Sequence, residues 1–168
     1  MVDIDGVLSL FGVPDRDAHG RRAVEGSLHS IDGTPHFLSS TAAAHLLSLC
    51  SLYDVVWASG WEERADEHLP RLLGLPAGLP FLRFARKIRG PSTRANAHWK
   101  LESIDAYARA RPLAWIDDAL NGACHTWAKA RSAPTLLVQT APERGLTQEE
   151  TRVLQTWARG LRADRALA

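Results

Sequence analysis

The sequence predicts an α/β domain built on a three-layer, doubly wound parallel sheet. Short apolar segments of strand length alternate with longer segments of helical period, and a parallel sheet covered by helices on both faces has this pattern. The chain has 168 residues, of which 45% are hydrophobic, so one domain can bury a core without disulfide bonds. We therefore expect a single Rossmann-like domain over residues 1–168.

Five short apolar segments are predicted as the strands of this sheet. They are Met1–Ile4, Asp54–Ala58, Leu79–Phe84, Leu113–Ile116 and Pro134–Val138. We expect the first to be central, between the second and the fourth, because a topological switch there brings their carboxyl ends together. The first segment begins at Met1, which leaves open whether further residues precede it.

Helical periodicity and capping residues predict the helices between these strands. The first helix is capped by Ser40 or Thr41 and continues through Leu49. The others are Trp61–Leu73, His98–Arg111, Leu120–Arg131 and residues 147–162. We expect Pro70 to divide the second helix, because proline removes a helical N–H. Thr147 and Glu150 form a capping box that opens the last helix, and its core-facing residues should be Val153, Leu154, Trp157 and Leu161.

Residues 9–39 form a long connection between the first strand and the first helix. Most such connections are short, so a connection of this length predicts an inserted element. The Asp32-Gly33 pair within it is typical of a β-hairpin turn. We interpret residues 9–39 as a minimal flap or small cap beside the strand ends.

The charge balance excludes an overall attraction to polyanions. The chain has 20 basic and 19 acidic residues and a net charge of +1, so any basic preference must be local. Its apolar runs are shorter than the roughly 18 residues that span a bilayer. Asp3 and Asp5 stand where a signal peptide has its basic and apolar regions, and these observations predict a cytoplasmic protein without membrane contact.

Polar side chains follow three of the predicted strands, where a parallel sheet binds its ligands. These side chains, with one lysine in the helix before the fourth strand, are Asp3, Asp5, Ser59, Lys100, Asp117 and Asp118. Clustered carboxylates repel one another and favour a hard cation such as Mg²⁺. A carboxylate can also attack phosphorus as a nucleophile. The pattern therefore predicts magnesium-dependent phosphoryl chemistry on a phosphorylated substrate.

In order and position, these motifs resemble those of the haloacid dehalogenase-like (HAD) superfamily, whose members are mostly Mg²⁺-dependent phosphohydrolases. Asp3-Ile4-Asp5-Gly6-Val7 matches its first motif and Val55-Val56-Trp57-Ala58-Ser59 its second. Lys100 matches the third motif, and Asp117-Asp118 closes a strand as in the fourth. The stretches around Ser59 and Asp117 are similar to small bacterial domains related to the phosphatase-like modules of Swiss Army Knife RNA repair proteins.

The resemblance implies a role for each motif residue. Asp3 would be the nucleophile and Asp5 the general acid and base, while Ser59 and Lys100 would hold the phosphoryl group. Asp3, the carbonyl of Asp5, and Asp117 or Asp118 would hold Mg²⁺. The result would be a phosphatase acting through an aspartyl-phosphate, with an open site that suits a nucleic acid end or another large substrate.

Two other interpretations stay open at the level of the sequence. One is a catalytically silent module that binds phosphate or nucleic acid. The other is a receiver-like regulatory domain, although no aspartate closes the Leu79–Phe84 segment as that class requires. A basic cluster ahead of Lys100 is either a rim for a polyanion or a solvated loop: Arg83, Arg86, Lys87, Arg89 and Arg94. Trp61 and Trp99 either stack on a base or belong to the packing. The physiological substrate and the oligomeric state also stay open.

Overall fold

The computed structural model describes residues 1–12, 24–84 and 97–167. Its strands are β1 (Ser9–Leu10), β2 (Gly26–Ile31), β3 (Thr34–Ser39), β4 (Leu113–Asp117) and β5 (Thr135–Gln139). Its helices are α1 (Ser40–Leu49), α2 (Arg64–Leu73), α3 (Leu101–Ala108), α4 (Gly122–Ala130) and α5 (Gln148–Leu167), with a 3₁₀ turn at Ala97–Lys100. Among these helices, none is long and apolar enough to cross a membrane.

The parallel sheet is organised around Val2. Val2 forms parallel bridges to Trp57 on one side and to Ile116 of β4 on the other. Trp57 also bridges in parallel to Phe81, and β4 pairs in parallel with β5. The predicted position of the first segment between the second and the fourth is therefore confirmed.

The first three predicted strands are shorter in the structure than in the sequence prediction. In each segment, regular pairing is reduced to one bridging residue: Val2, Trp57 or Phe81. Pro80 has no N–H to donate next to Phe81, and the chain turns away directly after Asp3 towards the positive φ of Gly6. The strands thus end early, which places polar side chains immediately beyond the bridges.

The core side chains of the sheet alternate between two clusters. Trp57 and Ile116 belong to a cluster that also contains Leu46 of α1 and Leu154 of α5. Val56, Ala58 and Trp115 belong to a second cluster with Ile104 of α3 and Cys124 of α4. Successive side chains of a strand point to opposite faces, so the two clusters contain alternate side chains of the sheet.

The predicted hairpin within residues 9–39 is confirmed. β2 and β3 pair antiparallel with Ile31 opposite Thr34, and Asp32 and Gly33 form the two-residue turn with φ values of 50° and 77°. Positive φ at both positions is the requirement of a type I′ hairpin turn. β1 pairs with the other edge of β3, and the backbone N–H of Ser39 donates to the carbonyl of Leu8 at 2.8 Å, so this sheet is tied to the first segment.

The cap of α1 and the continuity of α2 differ from the prediction. The N-cap of α1 is Ser39, whose hydroxyl accepts from the Ala42 N–H at 3.0 Å, and not Ser40 or Thr41. Ser39 ends β3 in an extended conformation, which is the backbone geometry that an N-cap needs. Pro70 does not divide α2; one helical hydrogen bond is lost, but the burial of Leu69 against the core stabilises the helix across the proline.

The last helix begins as predicted and ends later. Glu150 accepts hydrogen bonds from the N–H and hydroxyl of Thr147, which confirms the capping box. The helix continues to Leu167 rather than ending at residue 162. Leu154 is buried, but Val153 is 47% exposed, because consecutive helical residues are about 100° apart and the buried face here follows Leu154 and Ala158.

Candidate active site

Asp3 lies immediately after the central bridging residue. It is buried, and its backbone N–H donates to the carbonyl of Ile116 at 3.0 Å, which continues the sheet to the start of the site. Its Oδ1 accepts from the Ile4 N–H at 2.8 Å. Its Oδ2 lies 2.6 Å from Nζ of Lys100. The carboxylate is therefore fixed at both oxygens.

Lys100 joins two carboxylates from neighbouring strands. Its Nζ lies 2.6 Å from Oδ2 of Asp3 and 2.6 Å from Oδ2 of Asp117. Asp117 ends β4 and is fully buried, and Lys100 is only 3% exposed. The other oxygen of Asp117 accepts from the Ala119 N–H at 3.0 Å. One ammonium thus neutralises part of the charge of a buried carboxylate pair.

The side chain of Asp118 lies against Gly6 and joins the carboxylates of Asp3 and Asp117. A Cβ atom at Gly6 would lie only 2.3 Å from Cγ of Asp118, so the side chain occupies the space that any other residue would fill. Gly6 also has φ +70°, which glycine adopts at little cost. Carboxylate oxygens of Asp3, Asp117 and Asp118 all lie within 4.8 Å of one another.

The carboxylates carry more negative charge than Lys100 offsets. Burial and then the charge of Asp3 raise the pKa of Asp117 to about 6, although Lys100 opposes the rise. Burial, followed by repulsion from Asp3 and Asp117, raises the pKa of Asp118 to about 6. For Lys100, burial favours the neutral amine, but Asp3 and Asp117 raise its pKa overall. The centre therefore holds a protonated lysine among carboxylates that resist full ionisation.

Asp5 lies beside this centre and faces a different partner. The indole Nε1 of Trp61 lies 3.1 Å from both Oδ1 and Oδ2 of Asp5. Burial and the charge of Asp3 raise the pKa of Asp5 to about 6, while hydrogen bonds from Trp61 and Ser9 lower it. Ser9 in turn forms a 2.8 Å hydrogen bond with Nδ1 of His36 on β3. The sheet within residues 9–39 thus contacts the surroundings of Asp5.

Ser59 follows the bridging segment of Trp57, as predicted. The segment is held next to Val2 by a 2.8 Å hydrogen bond from the Ala58 N–H to the Val2 carbonyl. Ser59 is buried, and its hydroxyl accepts from the Trp61 N–H at 3.5 Å. The structure therefore places Ser59 at the carboxyl edge of the sheet, two residues before the indole that contacts Asp5.

The donor set fits a hard divalent cation. Three carboxylates within 4.8 Å are oxygen donors of the type that Mg²⁺ prefers. Burial and, after it, repulsion among the carboxylates raise the pKa values of Asp117 and Asp118, and a bound cation would offset that repulsion. Asp3, Asp117 and Asp118 are the residues whose side chains meet this description, and the Asp5 carbonyl was predicted from the family resemblance alone.

Two further residues at the site were not predicted from the sequence. Thr140 follows β5 and is buried, and its hydroxyl donates to the Gly6 carbonyl at 2.8 Å. The side-chain amide of Gln139 donates to the Asp118 carbonyl at 3.0 Å. Both fix the loops that carry the carboxylates. Both residues could have been predicted from the sequence, because they directly follow the fifth predicted strand, at the same edge of the sheet as the aspartates.

The predicted basic rim lies mostly outside the described residues. Arg86, Lys87, Arg89 and Arg94 fall in residues 85–96, and only Arg83 can be placed. Its Nη1 lies 3.5 Å from a carboxylate oxygen of Glu63 and 4.0 Å from one of Glu62, and its guanidinium lies 5.2 Å from the Phe81 ring centroid. Arg83 thus has acidic and aromatic partners within this protein.

The two tryptophans that flank the motifs are engaged in packing. Trp61 is only 7% exposed, so its faces are not open to a base. Trp99 makes an edge contact with Phe84 at 4.6 Å between ring centroids, and Nζ of Lys100 lies 5.5 Å from the Trp99 centroid. The packing interpretation is favoured for both side chains.

Together, the fold and this centre define a Rossmann-like α/β domain with clustered carboxylates and a buried lysine at the carboxyl edge of its sheet. The chain belongs to the family of HAD domains found in Swiss Army Knife RNA repair proteins, whose family model matches residues 1–151. This membership confirms the family predicted from the motifs and indicates hydrolase chemistry of the phosphatase type, in a family that is generally Mg²⁺-dependent. No curated protein and no solved structure matched the chain significantly.

Proposed function

We propose that this protein is a Mg²⁺-dependent phosphohydrolase that works through an aspartyl-phosphate on Asp3. The observation that carries the proposal is the position of Asp3: it lies at the end of the central segment, within 2.6 Å of Lys100 and beside Asp117 and Asp118. A nucleophilic carboxylate needs neighbouring positive charge to approach a phosphate dianion. Lys100 supplies one such charge, and an ion held by the three aspartates would supply the rest.

In the first half of the proposed reaction, an oxygen of Asp3 attacks phosphorus and the bond from phosphorus to the ester oxygen breaks. Asp5 gives its proton to that oxygen, and the alcohol departs. In the second half, a water molecule gives its proton to Asp5 and attacks the aspartyl-phosphate, which releases inorganic phosphate and restores Asp3. One residue serves as acid and then as base, so its carboxyl group must change protonation near neutral pH; the raised pKa of Asp5, about 6, supports this role.

The other site residues have supporting roles in the proposal. Ser59 and Lys100 bind the oxygens of the transferring phosphoryl group. Mg²⁺, when bound, offsets the negative charge that gathers on these oxygens. The side chains of Asp3, Asp117 and Asp118 and the carbonyl of Asp5 would surround the ion. Of the two aspartates at the end of β4, either Asp117 or Asp118 would ligate it directly.

We further propose that the substrate is a phosphorylated nucleic acid end, in particular an RNA end. The family to which the chain belongs is named for RNA repair proteins, and a phosphate at a strand end is accessible to an open site.

We interpret residues 9–39 as a small flap on a single three-layer, doubly wound domain. The two core clusters on alternating side chains of the sheet support the three-layer arrangement.

The experiment is phosphate release from three substrates with and without Mg²⁺: p-nitrophenyl phosphate and oligoribonucleotides with a 5′- or 3′-phosphate. We expect Mg²⁺-dependent release from at least one RNA end, and none from the Asp3→Asn variant. Asp54→Asn is the matched control, because it removes the same charge at an exposed position at the other end of a strand segment. Wild-type protein that binds Mg²⁺ and inorganic phosphate but releases none from any substrate would overturn the proposal.

A further inference from the structure

The contact between Trp61 and Asp5 has an unusual symmetry. The indole Nε1 lies 3.1 Å from each of the two carboxylate oxygens. An indole N–H can only donate, so the contact orients the carboxylate without competing for a proton that the carboxylate carries. Each oxygen keeps a lone pair for another partner. The indole therefore fixes the orientation of Asp5 and leaves its proton transfer free.

The indole is itself held in place by residues from two other elements. The His36 ring from β3 meets it at 4.9 Å between centroids with an interplanar angle of 69°. His68 from α2 meets it at 6.5 Å and 85°. His36 is in turn fixed by its 2.8 Å hydrogen bond with Ser9. A side chain in this environment has little freedom to change its rotamer.

The backbone next to Trp61 is also unusual. Glu62 has φ +48°, a left-handed conformation that is costly for a residue other than glycine and recurs at functional sites. Its side chain accepts from the Phe84 N–H at 2.9 Å, which stabilises the turn. The strained backbone conformation therefore lies directly next to the tryptophan whose indole contacts Asp5.

We propose that Trp61 is a positioning residue, which holds the Asp5 carboxyl group in the orientation needed to protonate the leaving oxygen. The inference rests on the proposed phosphohydrolase function and adds a residue to it. Trp61 is buried, and its indole N–H contacts the proposed machinery at Asp5. Its loss should therefore matter most for substrates whose leaving group needs a proton.

The test compares two esters in the Trp61→Phe variant. The nitrophenolate of p-nitrophenyl phosphate leaves without protonation, whereas an alkoxide such as that of β-glycerophosphate needs general acid help. The comparison uses kcat/KM, which reports formation of the aspartyl-phosphate, because Asp5 also serves as base in the second half of the reaction that both esters share. We expect kcat/KM for the alkyl ester to fall about 10- to 100-fold, as for the loss of a hydrogen bond to a charged group. For the aryl ester we expect a change of less than about threefold in kcat/KM.

Trp127→Phe is the matched control. Its Nε1 also donates to a carboxylate, Oδ1 of Asp105, at 3.1 Å, but on α4 rather than beside Asp5. We expect this variant to keep the wild-type ratio of the two kcat/KM values. In an Asp5→Asn background, Trp61→Phe should cause no further selective loss, because residues that act as one unit are not additive.

Trp61 is buried, so Trp61→Phe also changes the packing. An isosteric replacement of the Trp61 indole by benzothiophene removes only the N–H and provides the comparison if the phenylalanine variant does not fold. Equal losses for both esters, or none, would overturn this inference while the proposed function stands. Wild-type protein that hydrolyses neither ester nor the RNA ends would overturn the proposed function and this inference with it.

Discussion

Lys100 donates from its Nζ to Oδ2 of Asp117 at a distance of 2.6 Å, across 17 positions of the sequence. Both side chains are almost completely buried, and the same Nζ reaches Asp3. Removing either partner of a buried ion pair leaves a charge without compensation, which costs more than the intact pair contributes. The lysine should therefore contribute to the stability of the metal-free domain, in addition to the role proposed for it in catalysis.

We predict that Lys100→Met lowers the free energy of unfolding of the metal-free protein by about 3–5 kcal/mol at neutral pH, because two buried carboxylates lose their counter-charge. Urea denaturation in the presence of EDTA measures the change. Lys129→Met is the control, since Lys129 is exposed on α4 and its loss should cost less than about 0.5 kcal/mol. A Lys100 variant as stable as the control variant would contradict the ion-pair argument.

Gly6→Ala should destabilise the protein more than Gly33→Ala. Both glycines have positive φ, +70° and +77°, so both alanines incur a backbone cost of about 1–2 kcal/mol. No atom of the described residues lies within 4 Å of a Cβ at Gly33, but a Cβ at Gly6 would meet Asp118 at 2.3 Å. We expect the collision to add about 1–3 kcal/mol and to weaken Mg²⁺ binding by displacing Asp118. Equal changes in unfolding free energy for the two variants would contradict this expectation.

The sequence was sufficient to predict the carboxylate centre. Asp3, Lys100 and Asp117 each lie at or beside the end of an element, and a parallel topology brings such ends to one edge. The same argument could not predict the contact between Trp61 and Asp5. A tryptophan three residues beyond a strand has no periodicity to fix its direction, and its direction here depends on His36, which lies in the distant β2–β3 hairpin.

Secondary-structure predictions from local residue preferences were wrong where tertiary packing outweighed those preferences. Pro70 should interrupt a helix by its own chemistry, yet α2 continues through it because Leu69 and Ala65 are buried in the core. The predicted strand over Leu79–Phe84 shows the reverse case. Its apolar composition is that of a buried strand, but its pairing is limited to the bridge at Phe81.

Arg131 makes a separate contribution to stability at the other end of the sheet. Its Nη2 donates to the carbonyls of Arg109 and Arg111 at 3.0 and 2.9 Å, and its Nε donates to the Thr135 hydroxyl at 2.8 Å. We predict that Arg131→Ala lowers the free energy of unfolding by about 1.5–3 kcal/mol. Arg131→Lys should restore little, because an ammonium lacks the planar fork of donors. Arg152→Ala, at an exposed position of α5, is the control in the same urea titration, and full recovery with lysine would contradict the role of the fork.

The acidic centre also predicts how stability depends on pH in the metal-free protein. The pKa values of Asp5, Asp117 and Asp118 are raised from 3.8 to about 6 in the folded state. Between these values the folded protein holds more protons than the unfolded chain, so the free energy of unfolding falls as the pH rises through this window. Above about pH 6 these three groups are deprotonated in both the folded and the unfolded state. They then no longer make the free energy of unfolding depend on pH.

We predict that Asp118→Asn flattens this decline, because it removes one of the groups that release a proton in the window. Urea denaturation in EDTA at intervals from pH 4.5 to 7.5 measures the slope, with Asp54→Asn as the exposed control. Burial lowers the pKa of His36, which changes stability in the opposite sense, but equally in both variants, so their difference isolates Asp118. Mg²⁺ should raise the melting temperature of the wild type more at pH 7.5 than at pH 5, since its carboxylate ligands must be deprotonated. An Asp118→Asn variant with the wild-type slope would contradict the assignment of a raised pKa to Asp118.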